Sequence, residues 1–397
     1  AELIADQGAR DAQDLYRNIS GVSFFSYAGV TARGFRQEEI FFDGLRGDPY
    51  AGFSVPQLFN VERVEFLKGP AGMLYGPGAP GGLFNYVTKK PEDVFSARVA
   101  GIVGTEARYG ASAEVTGALP APGVAGRLGV FYEEQNTPRI GSRSEVLILD
   151  GGLKVDLPLG ELVFQATHYD QNLPGNRLRG VPADNLGRFL TDRRWNHNEP
   201  GDFLRLEANV VQASWSAAPS DTLSMNAAVR YSDGLETQKY HEPFGLLDSD
   251  ADGVVDSSRR QYRDQIRDQS NWSLGANLIW SFDLGPVESR LLAGADWFTN
   301  ELDFQSRGAN GGVRFTPTAP SPLSLFEPVY GVSPVASYVL PAYSLSVTET
   351  ERAGGYLLYE ATVGPLIGTL GARYDSFEDV SGATTFEDDA LTWRAGL

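Results

Sequence analysis

The residues best suited to hold a metal ion lie in one short acidic segment, residues 248–256. Four aspartates take positions 1, 3, 5 and 9 of a calcium-loop pattern: Asp248, Asp250, Asp252 and Asp256. Carboxylate oxygens suit Ca²⁺, and Gly253 at position 6 permits the sharp turn that such a loop makes. Position 12 is Arg259 instead of a bidentate glutamate, so the pattern predicts a loose calcium site. An ordinary solvated acidic turn is the alternative.

Residues for enzymatic chemistry are sparse in the rest of the chain. The sequence has no cysteine, which excludes disulfides, thiolate metal sites and a cysteine nucleophile. The three histidines, His168, His197 and His241, are scattered and make no ligand motif. Pro77 separates two glycines and removes a backbone donor that a phosphate-binding loop would need. We therefore expect a protein that is not an enzyme and that requires no cofactor.

The overall composition narrows the class of protein. A net charge of -18 argues against nucleic-acid binding, which requires basic surfaces. No stretch approaches the roughly 18 consecutive apolar residues of a membrane helix, so a helical membrane protein is excluded. The 45 glycines and 22 phenylalanines, with a hydrophobic content of only 42%, are typical of many strands in which polar and apolar residues interleave.

From about residue 93 onward, apolar and polar residues alternate with a period of two. One apolar series is Leu223, Met225, Ala227, Val229 and Tyr231. Two others are Trp272, Leu274, Ala276, Leu278, Trp280 and Phe282, and Leu204, Leu206, Ala208 and Val210. This period predicts strands with one apolar face and one wet face. Both a transmembrane barrel and a soluble sandwich show such strands.

The lengths of the connections favour the barrel. Five predicted turns are short, at residues 119–124, 157–160, 217–221, 283–286 and 363–366. Long predicted loops lie between them, among them 171–201, 232–259 and 304–348. Outer-membrane barrels have tight periplasmic turns and long external loops, whereas a sandwich has no reason to sort its connections in this way. We count about eleven strands, and a twelfth that begins near residue 390.

Four sequence blocks near the N-terminus resemble the plug signature of TonB-dependent outer-membrane receptors, most closely the ferric siderophore receptors. The first three blocks are ISGV at residues 19–22, TARGF at 31–35 and IFFDGL at 40–45. The fourth contains ERVEFLKGP at 62–70, LYG at 74–76 and GGLFNYVTKKP at 81–91. The residues of the fourth block predict a buried strand at Val64 and Phe66, a tight turn and a second strand approached through glycines. An ordinary small α/β domain is the alternative.

The resemblance implies a mostly β fold, with an N-terminal α+β plug domain followed by antiparallel transmembrane β-barrel strands. We place the plug at residues 1–91 and the barrel at residues 92–397. The family's barrel has about 22 strands, so the chain is expected to hold about 11 or 12 of them and to lack the beginning of the plug. A complete twelve-stranded barrel is the alternative, although its lumen would leave little room for a plug.

The resemblance also implies that three apical plug loops touch the ligand, at residues 23–27, 36–39 and 46–54. Seven side chains on these loops are the expected contacts: Phe24, Tyr27, Arg36, Gln37, Arg46, Tyr50 and Phe53. Aromatic rings offer stacking surface, and the arginines and glutamine offer donors to hydroxamate, catecholate or carboxylate oxygens. The alternative for each ring is packing against the inner wall of the barrel.

Arg33 and Lys68 each lie beside a glycine on a plug strand. In the family, basic residues at these places pair with glutamates of the barrel wall and hold the plug. A buried cation needs such a partner, since an uncompensated one costs several kcal/mol. We therefore expect plug anchoring by both residues, with acidic partners in a part of the barrel outside this sequence. Solvation by water in the lumen is the alternative.

The implied function is TonB-dependent import of a ferric siderophore across the outer membrane of a Gram-negative bacterium. The implied partners are the siderophore, the TonB–ExbB–ExbD complex and outer-membrane lipid, with no nucleic acid. The energy-coupling segment of the family does not occur in this sequence. Import of haem, cobalamin or an oligosaccharide is one alternative, and a passive porin or adhesin is the other.

Overall fold

The computed structural model describes residues 4, 6–25, 29–37, 40–50, 57–69, 71–177 and 179–397. In these residues a small N-terminal domain of short helices and two small sheets precedes one large antiparallel sheet. The fold class is mostly β, as the sequence predicts. Among the described residues, no helix is both long enough and apolar enough to cross a membrane.

The N-terminal domain has two described helices, Ala12–Tyr16 and Gly72–Tyr75. Three strands form an antiparallel sheet in the order β1-β2-β3: Val22–Phe24, Val30–Ala32 and Phe35–Gln37. Four strands form a mixed sheet in the order β5-β4-β7-β6: β4 Ile40–Phe42, β5 Leu45–Arg46, β6 Val61–Lys68 and β7 Gly82–Thr88. Asp11 caps the first helix, because its carboxylate accepts a hydrogen bond from the Asp14 N–H at 3.0 Å.

Two of the N-terminal sequence blocks each contain a two-residue hairpin turn. Arg33 (φ 54°) and Gly34 (φ 86°) join β2 to β3. Asp43 (φ 51°) and Gly44 (φ 78°) join β4 to β5. Positive φ at both central residues matches the type I′ turn, whose twist suits antiparallel strands. Glycine adopts this conformation without strain and aspartate tolerates it, so the Asp-Gly pair favours its turn directly.

The block at residues 62–91 folds into β6, a turn at Gly69, the helix Gly72–Tyr75 and β7. The two strands pair antiparallel, and β7 is the more deeply buried. The prediction of a buried β6 is wrong in degree, because Val64 and Phe66 are only half-buried. A Cβ atom on Gly81 would lie 2.1 Å from the Ala32 carbonyl oxygen, so glycine is what lets these backbones approach.

Twelve long strands follow, and each pairs antiparallel with the next. They are β8 Ser96–Gly104, β9 Arg108–Ala118, β10 Val124–Asn136, β11 Arg143–Leu157, β12 Gly160–Asn172, β13 Phe203–Ser220, β14 Leu223–Leu247, β15 Ser257–Leu284, β16 Val287–Asn310, β18 Ser344–Val363, β19 Leu366–Ser381 and β20 Thr384–Gly396. The short β17, Leu323–Ser324, pairs with the start of β15. A single 3₁₀ turn is described at Val335–Ser337. In the described sheet, β8 and β20 form the two edges.

The two ends of the sheet carry different connections. One end has only tight turns, at residues 119–123, 158–159, 221–222, 285–286 and 364–365. The other end carries the segments 105–107, 137–142, 173–202, 248–256, 311–343 and 382–383. The predicted loop at 232–259 is mostly strand, because β14 and β15 continue for 25 and 28 residues. Two connections at this second end, 105–107 and 382–383, are as short as the turns at the first end.

The alternation places different chemistry on the two faces of the sheet. Trp272, Leu274 and Trp280 are exposed on the outer face. Asn271 and Ser273, at the intervening positions of the same strand, are buried on the inner face. An apolar outer face and a polar inner face are typical of a transmembrane barrel wall.

The main hydrophobic core joins the N-terminal domain to the inner face of the sheet. The N-terminal domain contributes, among others, Tyr16, Phe42, Phe84 and Tyr86, and the sheet contributes Phe131, Ile148, Tyr169, Leu206 and Ala208. The predicted apolar series of β13 is therefore buried at Leu204, Leu206 and Ala208, and the last two pack in the core shared with the N-terminal domain. This shared core seats the N-terminal domain against the wall.

Replacing Gly81 by alanine is expected to destabilise the N-terminal domain by roughly 1–3 kcal/mol, the usual range for overpacking. The cause is overlap of the new methyl group with the Ala32 carbonyl oxygen. Gly72→Ala is the matched control, because nothing lies within 4 Å of its Cβ position. Limited proteolysis of the purified protein measures the difference, and equal resistance of the two variants would contradict the close approach.

Candidate functional site

Arg230, on the inner face of β14, holds the hairpin between β4 and β5. Its guanidinium donates to the carbonyl oxygens of Phe42 (3.3 Å), Arg46 (2.7 Å) and Gly47 (2.8 Å). The residue is 1% exposed. Nη1 and Nη2 thus satisfy carbonyl groups that have left water, whereas the buried Nε has no hydrogen-bond partner among the described residues. Arg230 therefore fixes this hairpin to the wall.

Asp48 follows the hairpin and lies half-buried near Arg230. Its carboxylate accepts a hydrogen bond from the Tyr50 N–H at 2.9 Å. Loss of solvent nonetheless raises the pKa of Asp48 from 3.8 to about 6. The folded chain therefore binds this proton more tightly than the unfolded chain, so Asp48 contributes stability at low pH that is lost as the pH rises through about 4 to 6.

Arg373, on β19, holds the helix Gly72–Tyr75 in a similar way. Its Nη1 donates to the Leu74 carbonyl oxygen at 3.3 Å and to the Asp296 carboxylate at 2.8 Å. Its Nε donates to Asp375 at 2.8 Å. Two carboxylates thus balance the charge of a guanidinium that is 1% exposed, which a buried cation requires.

A row of charged residues ties the end of β7 to the wall. Lys89 donates to Glu114 of β9 at 2.9 Å, and Arg127 of β10 donates to the same carboxylate at 2.9 Å. Arg127 also donates to Asp150 of β11. The row links three neighbouring wall strands to the last strand of the N-terminal domain.

The inner face of β14 continues beyond the N-terminal domain towards the long loops. Gln238 and Tyr240 lie on the same face as Arg230, because side chains alternate along a strand. Arg177 and Arg179, from the segment 173–202, lie over the Tyr240 ring, with guanidinium carbons 5.0 and 5.7 Å from its centroid. Tyr240 and Arg177 are each only 2% exposed, and Arg177 donates to Gln238 at 2.9 Å. Arg179 pairs with Glu242 at 2.6 Å but keeps 35% of its side chain exposed, so it is the cation of this cluster that an oxygen-rich anion can reach.

Two further arginine–aromatic pairs extend this chemistry. The Arg267 guanidinium lies 5.4 Å from the centre of the Phe304 ring, and Arg267 lines a small cavity against Pro49. On the N-terminal domain, the Arg36 guanidinium lies 4.6 Å from the centre of the exposed Phe25 ring. We take the surfaces around Tyr240 and Arg267 on the wall, with Arg36 on the N-terminal domain, as the candidate ligand site.

Comparison with known proteins identifies the family. A family model for the TonB-dependent receptor plug domain matches residues 1–83. A model described as TonB dependent receptor-like, beta-barrel matches residues 155–397, which is more than half of the chain. The chain belongs to the TonB-dependent receptors. Its N-terminal domain is the plug of this family, and its large sheet is barrel wall.

Individual relatives agree with this family. The ferrichrome outer membrane transporter/phage receptor of Escherichia coli (strain K12) is 24% identical over 422 residues, which covers 98% of this chain and 54% of that protein. The ferrioxamine B receptor of Salmonella typhimurium (strain SL1344) is 25% identical over 374 residues, covering 91% of this chain and 50% of that protein. The chain therefore spans about half the length of the curated relatives it matches.

Solved structures show the same fold. The pyoverdine outer membrane receptor FpvA of Pseudomonas aeruginosa PAO1, bound to pyoverdine, matches with a TM-score of 0.84 at 19% identity. The match covers 99% of this chain and 58% of that one. The receptor described here thus has the plug and a large part of the barrel wall of that fold.

The structure divides the predicted plug ligand residues into an exposed and a buried set. Phe24 and Arg36 are exposed on the β1-β2-β3 sheet, and ligand contact by them stays a prediction. Gln37 is 8% exposed. Tyr27 and Phe53 lie outside the described residues.

Arg46 and Tyr50 lie in the packing of the plug rather than on an open loop. Arg46 donates to the carbonyl oxygens of Tyr75 and Pro77 and is 6% exposed. The Tyr50 ring lies 4.7 Å from the Tyr169 ring of the wall, centroid to centroid. For Tyr50 the structure thus shows the alternative that the sequence left open, packing on the inner wall. The wall residues around Tyr240 are the surface that sequence reasoning missed.

The predicted anchors Arg33 and Lys68 are both exposed, and among the described residues neither makes an ion pair. Their anchoring role stays a prediction. In the described wall, Arg230 and Arg373 contact the plug, and sequence reasoning missed both. A signal was available, because each arginine occupies the inward position of a strand whose other face is apolar.

The acidic loop partly assembles the predicted calcium site. Asp248, Asp250 and Asp256 each place one carboxylate oxygen within 4.8 Å of the others. Asp252 does not belong to this group, and its N–H donates to Asp248 at 3.2 Å and to Asp250 at 3.3 Å. Hydrogen bonds of this kind also form in a solvated acidic turn. Calcium binding by the loop therefore stays a prediction.

Arg230→Ala is expected to loosen the plug, because three buried carbonyl groups lose their donor. Leaving a buried carbonyl group without its donor costs roughly 1–3 kcal/mol. The measurement is the temperature at which the plug of the membrane-embedded receptor becomes protease-sensitive. Arg205→Ala is the matched control, since Arg205 is an exposed arginine on the neighbouring strand that pairs with Asp170. Equal transition temperatures in the two variants would remove Arg230 from the anchoring role.

If the acidic loop binds calcium, Asp256→Asn is expected to abolish the binding heat seen in calorimetry of the receptor with CaCl₂. Asp252→Asn is expected to leave that heat unchanged, because Asp252 lies outside the three-carboxylate group. Heat no greater than dilution in the unmodified receptor would reject the site altogether.

Proposed function

We propose that the protein is an outer-membrane receptor that imports a ferric siderophore into the periplasm, and that it is not an enzyme. The observation that carries this proposal is the two accessible arginines beside the inner wall, Arg179 and Arg267, each of which lies next to one aromatic ring and one glutamate. The chain as a whole is acidic, with a net charge of -18, so arginines gathered on one inner surface favour an anionic or oxygen-rich ligand. Hydroxamate, catecholate and carboxylate groups all supply such oxygens.

The relatives support the same class of ligand. Among them are a ferrichrome transporter, a ferrioxamine B receptor and a ferripyoverdine receptor. Each of these names denotes an iron-bearing ligand. Arg179 of the segment 173–202 and Arg267 of the wall are the donors that we assign to the ferric siderophore, with Phe304 as a ring beside it.

Membrane insertion and energy supply complete the proposal. The protein is located in the outer membrane, where the exposed outer-face residues Trp272, Leu274 and Trp280 contact lipid. The plug is seated in the wall by buried contacts, so release of the ligand requires work on the plug. We assign that work to the TonB–ExbB–ExbD complex, since the sequence has no phosphate-binding loop with which to hydrolyse a nucleotide.

Two other functions compete with this one. An importer of haem, cobalamin or an oligosaccharide would use the same plug and wall with a different ligand surface. A passive porin or adhesin would need no energy and no specific ligand. Uptake of a panel of ⁵⁵Fe-loaded siderophores by iron-limited cells separates these functions. Uptake that requires both the receptor and the proton-motive force supports the proposal, and receptor-dependent uptake that survives a protonophore would favour a passive pore.

Arg179→Ala is expected to weaken binding of the transported ferric siderophore by about tenfold or more, since a hydrogen bond to a charged group contributes about 1.5–3 kcal/mol. Quenching of intrinsic tryptophan fluorescence measures the affinity. Arg188→Ala is the matched control, because Arg188 lies in the same segment and pairs with Asp184 at the surface. An equal loss of affinity in both variants, or no loss in either, would exclude the Tyr240 surface from the site.

A further inference from the structure

The two longest external segments, 173–202 and 311–343, meet at a buried hydrogen-bond junction on β14. The junction is His241, which is 0% exposed. Its Nδ1 lies 2.9 Å from a carboxylate oxygen of Asp202, and its Nε2 lies 2.9 Å from the Tyr338 hydroxyl. A carboxylate accepts hydrogen bonds, so Nδ1 carries the proton in the bond to Asp202. One imidazole thus bonds to both segments at once.

The backbone of β14 takes part in the same junction. Pairing of β14 with β13 ends at Lys239, so the edge of β14 beyond that residue needs other partners. Asp202 accepts a hydrogen bond from the His241 N–H at 2.6 Å, and the Asn198 amide donates to the His241 carbonyl oxygen at 2.7 Å. The segment 173–202 therefore covers this edge with its own side chains.

A second buried network joins the two segments through β15. Arg260, 1% exposed, donates to Glu199 at 2.7 Å and to the Ser321 carbonyl oxygen at 3.0 Å. Glu199 also accepts a hydrogen bond from the Gly331 N–H at 2.6 Å. A single carboxylate in the segment 173–202 thus bonds to Arg260 and to the segment 311–343.

The two segments also share a small hydrophobic core of their own. Its buried members are Trp195, Leu323 and Leu325, with Leu190 and Tyr330 packed against them together with Val255 of the neighbouring segment 248–256. The Trp195 indole N–H donates to the Ser324 carbonyl oxygen at 2.9 Å, and the Tyr330 hydroxyl donates to the Asn196 carbonyl oxygen at 3.0 Å. A group of elements with its own core and its own buried polar bonds opens and closes cooperatively.

We propose that the segments 173–202 and 311–343 form one external lid that opens and closes as a single body, with His241 as its clasp. The lid goes beyond the proposed function and does not depend on the identity of the ligand. The two segments are coupled because the polar groups that join them are buried. If one segment moved alone, its former hydrogen-bond partners would stay unpaired inside the protein. Each unpaired group would cost more free energy than its hydrogen bond had contributed.

Hydrogen exchange of the whole chain in lipid nanodiscs tests this coupling by its effect on the segment that is not mutated. Tyr338→Phe removes one hydroxyl from the segment 311–343 and is expected to speed amide exchange in the segment 173–202 by about tenfold. Asp202→Asn is the reciprocal variant and is expected to speed exchange in 311–343. His168→Gln is the control, because His168 bonds to Asn209 away from the lid and should change neither segment.

Exchange in β10, β11 and β12 reports whether the wall is intact in each variant. Faster exchange in both segments, in either variant, supports a single lid. Faster exchange confined to the mutated segment in both variants would overturn it, and so would unchanged exchange in both. If neither variant assembles, hydrogen exchange is measured for His241→Gln. Faster exchange in both segments then supports a single lid, and faster exchange in only one segment, or in neither, overturns it.

Discussion

The structure depends on how the barrel wall satisfies the polar backbone of the plug. A hairpin lodged inside a wall turns carbonyl groups away from water, and each would be costly without a donor. Arg230 supplies donors to three of them, at Phe42, Arg46 and Gly47. Asp43, whose positive φ shapes the same hairpin, also accepts a hydrogen bond from Gln212 of the wall at 3.1 Å. With this hairpin fixed, the residues after it are directed against the wall, and the inner surface around Tyr240 is left for other contacts.

The contact between plug and wall combines a hydrophobic core with separate polar attachments. The core packs rings such as Phe84 and Tyr86 against Phe131 and Ile148. The polar attachments at Arg230, Arg373 and Lys89 lie on different wall strands. A polar bond broken in contact with water is largely replaced by bonds to water, whereas apolar contact is not. The plug is thus seated against the wall by apolar packing and by polar bonds on several different wall strands.

Much of the fold was predictable because the responsible signals are local. The Asp43-Gly44 pair encodes a two-residue turn, and the glycine at residue 81 marks a close backbone approach. Alternation of apolar and polar residues predicts the wall strands, as in the series from Trp272 to Phe282. The full extent of β14 and β15 was not predictable, since the end of β14 (residues 232–243) and the start of β15 (residues 257–270) are largely polar on both faces. They are strands because segments distant in sequence cover them, with Asp202 and Asn198 bonding to the edge at His241.

The candidate site was harder to predict from the sequence, because it too depends on contacts between residues that are distant in the chain. Arg46 and Tyr50 have the right chemistry for a ligand, but long-range packing against Tyr75, Pro77 and Tyr169 decides their burial. The surface around Tyr240 joins a strand to Arg177 and Arg179, which only the folded loop brings near it. An electron cryo-microscopy structure of the receptor with its transported ferric siderophore tests the account most directly. We predict iron-chelate oxygens within hydrogen-bond distance of Arg179 or Arg267, above a seated plug. A chelate bound away from both arginines would contradict it.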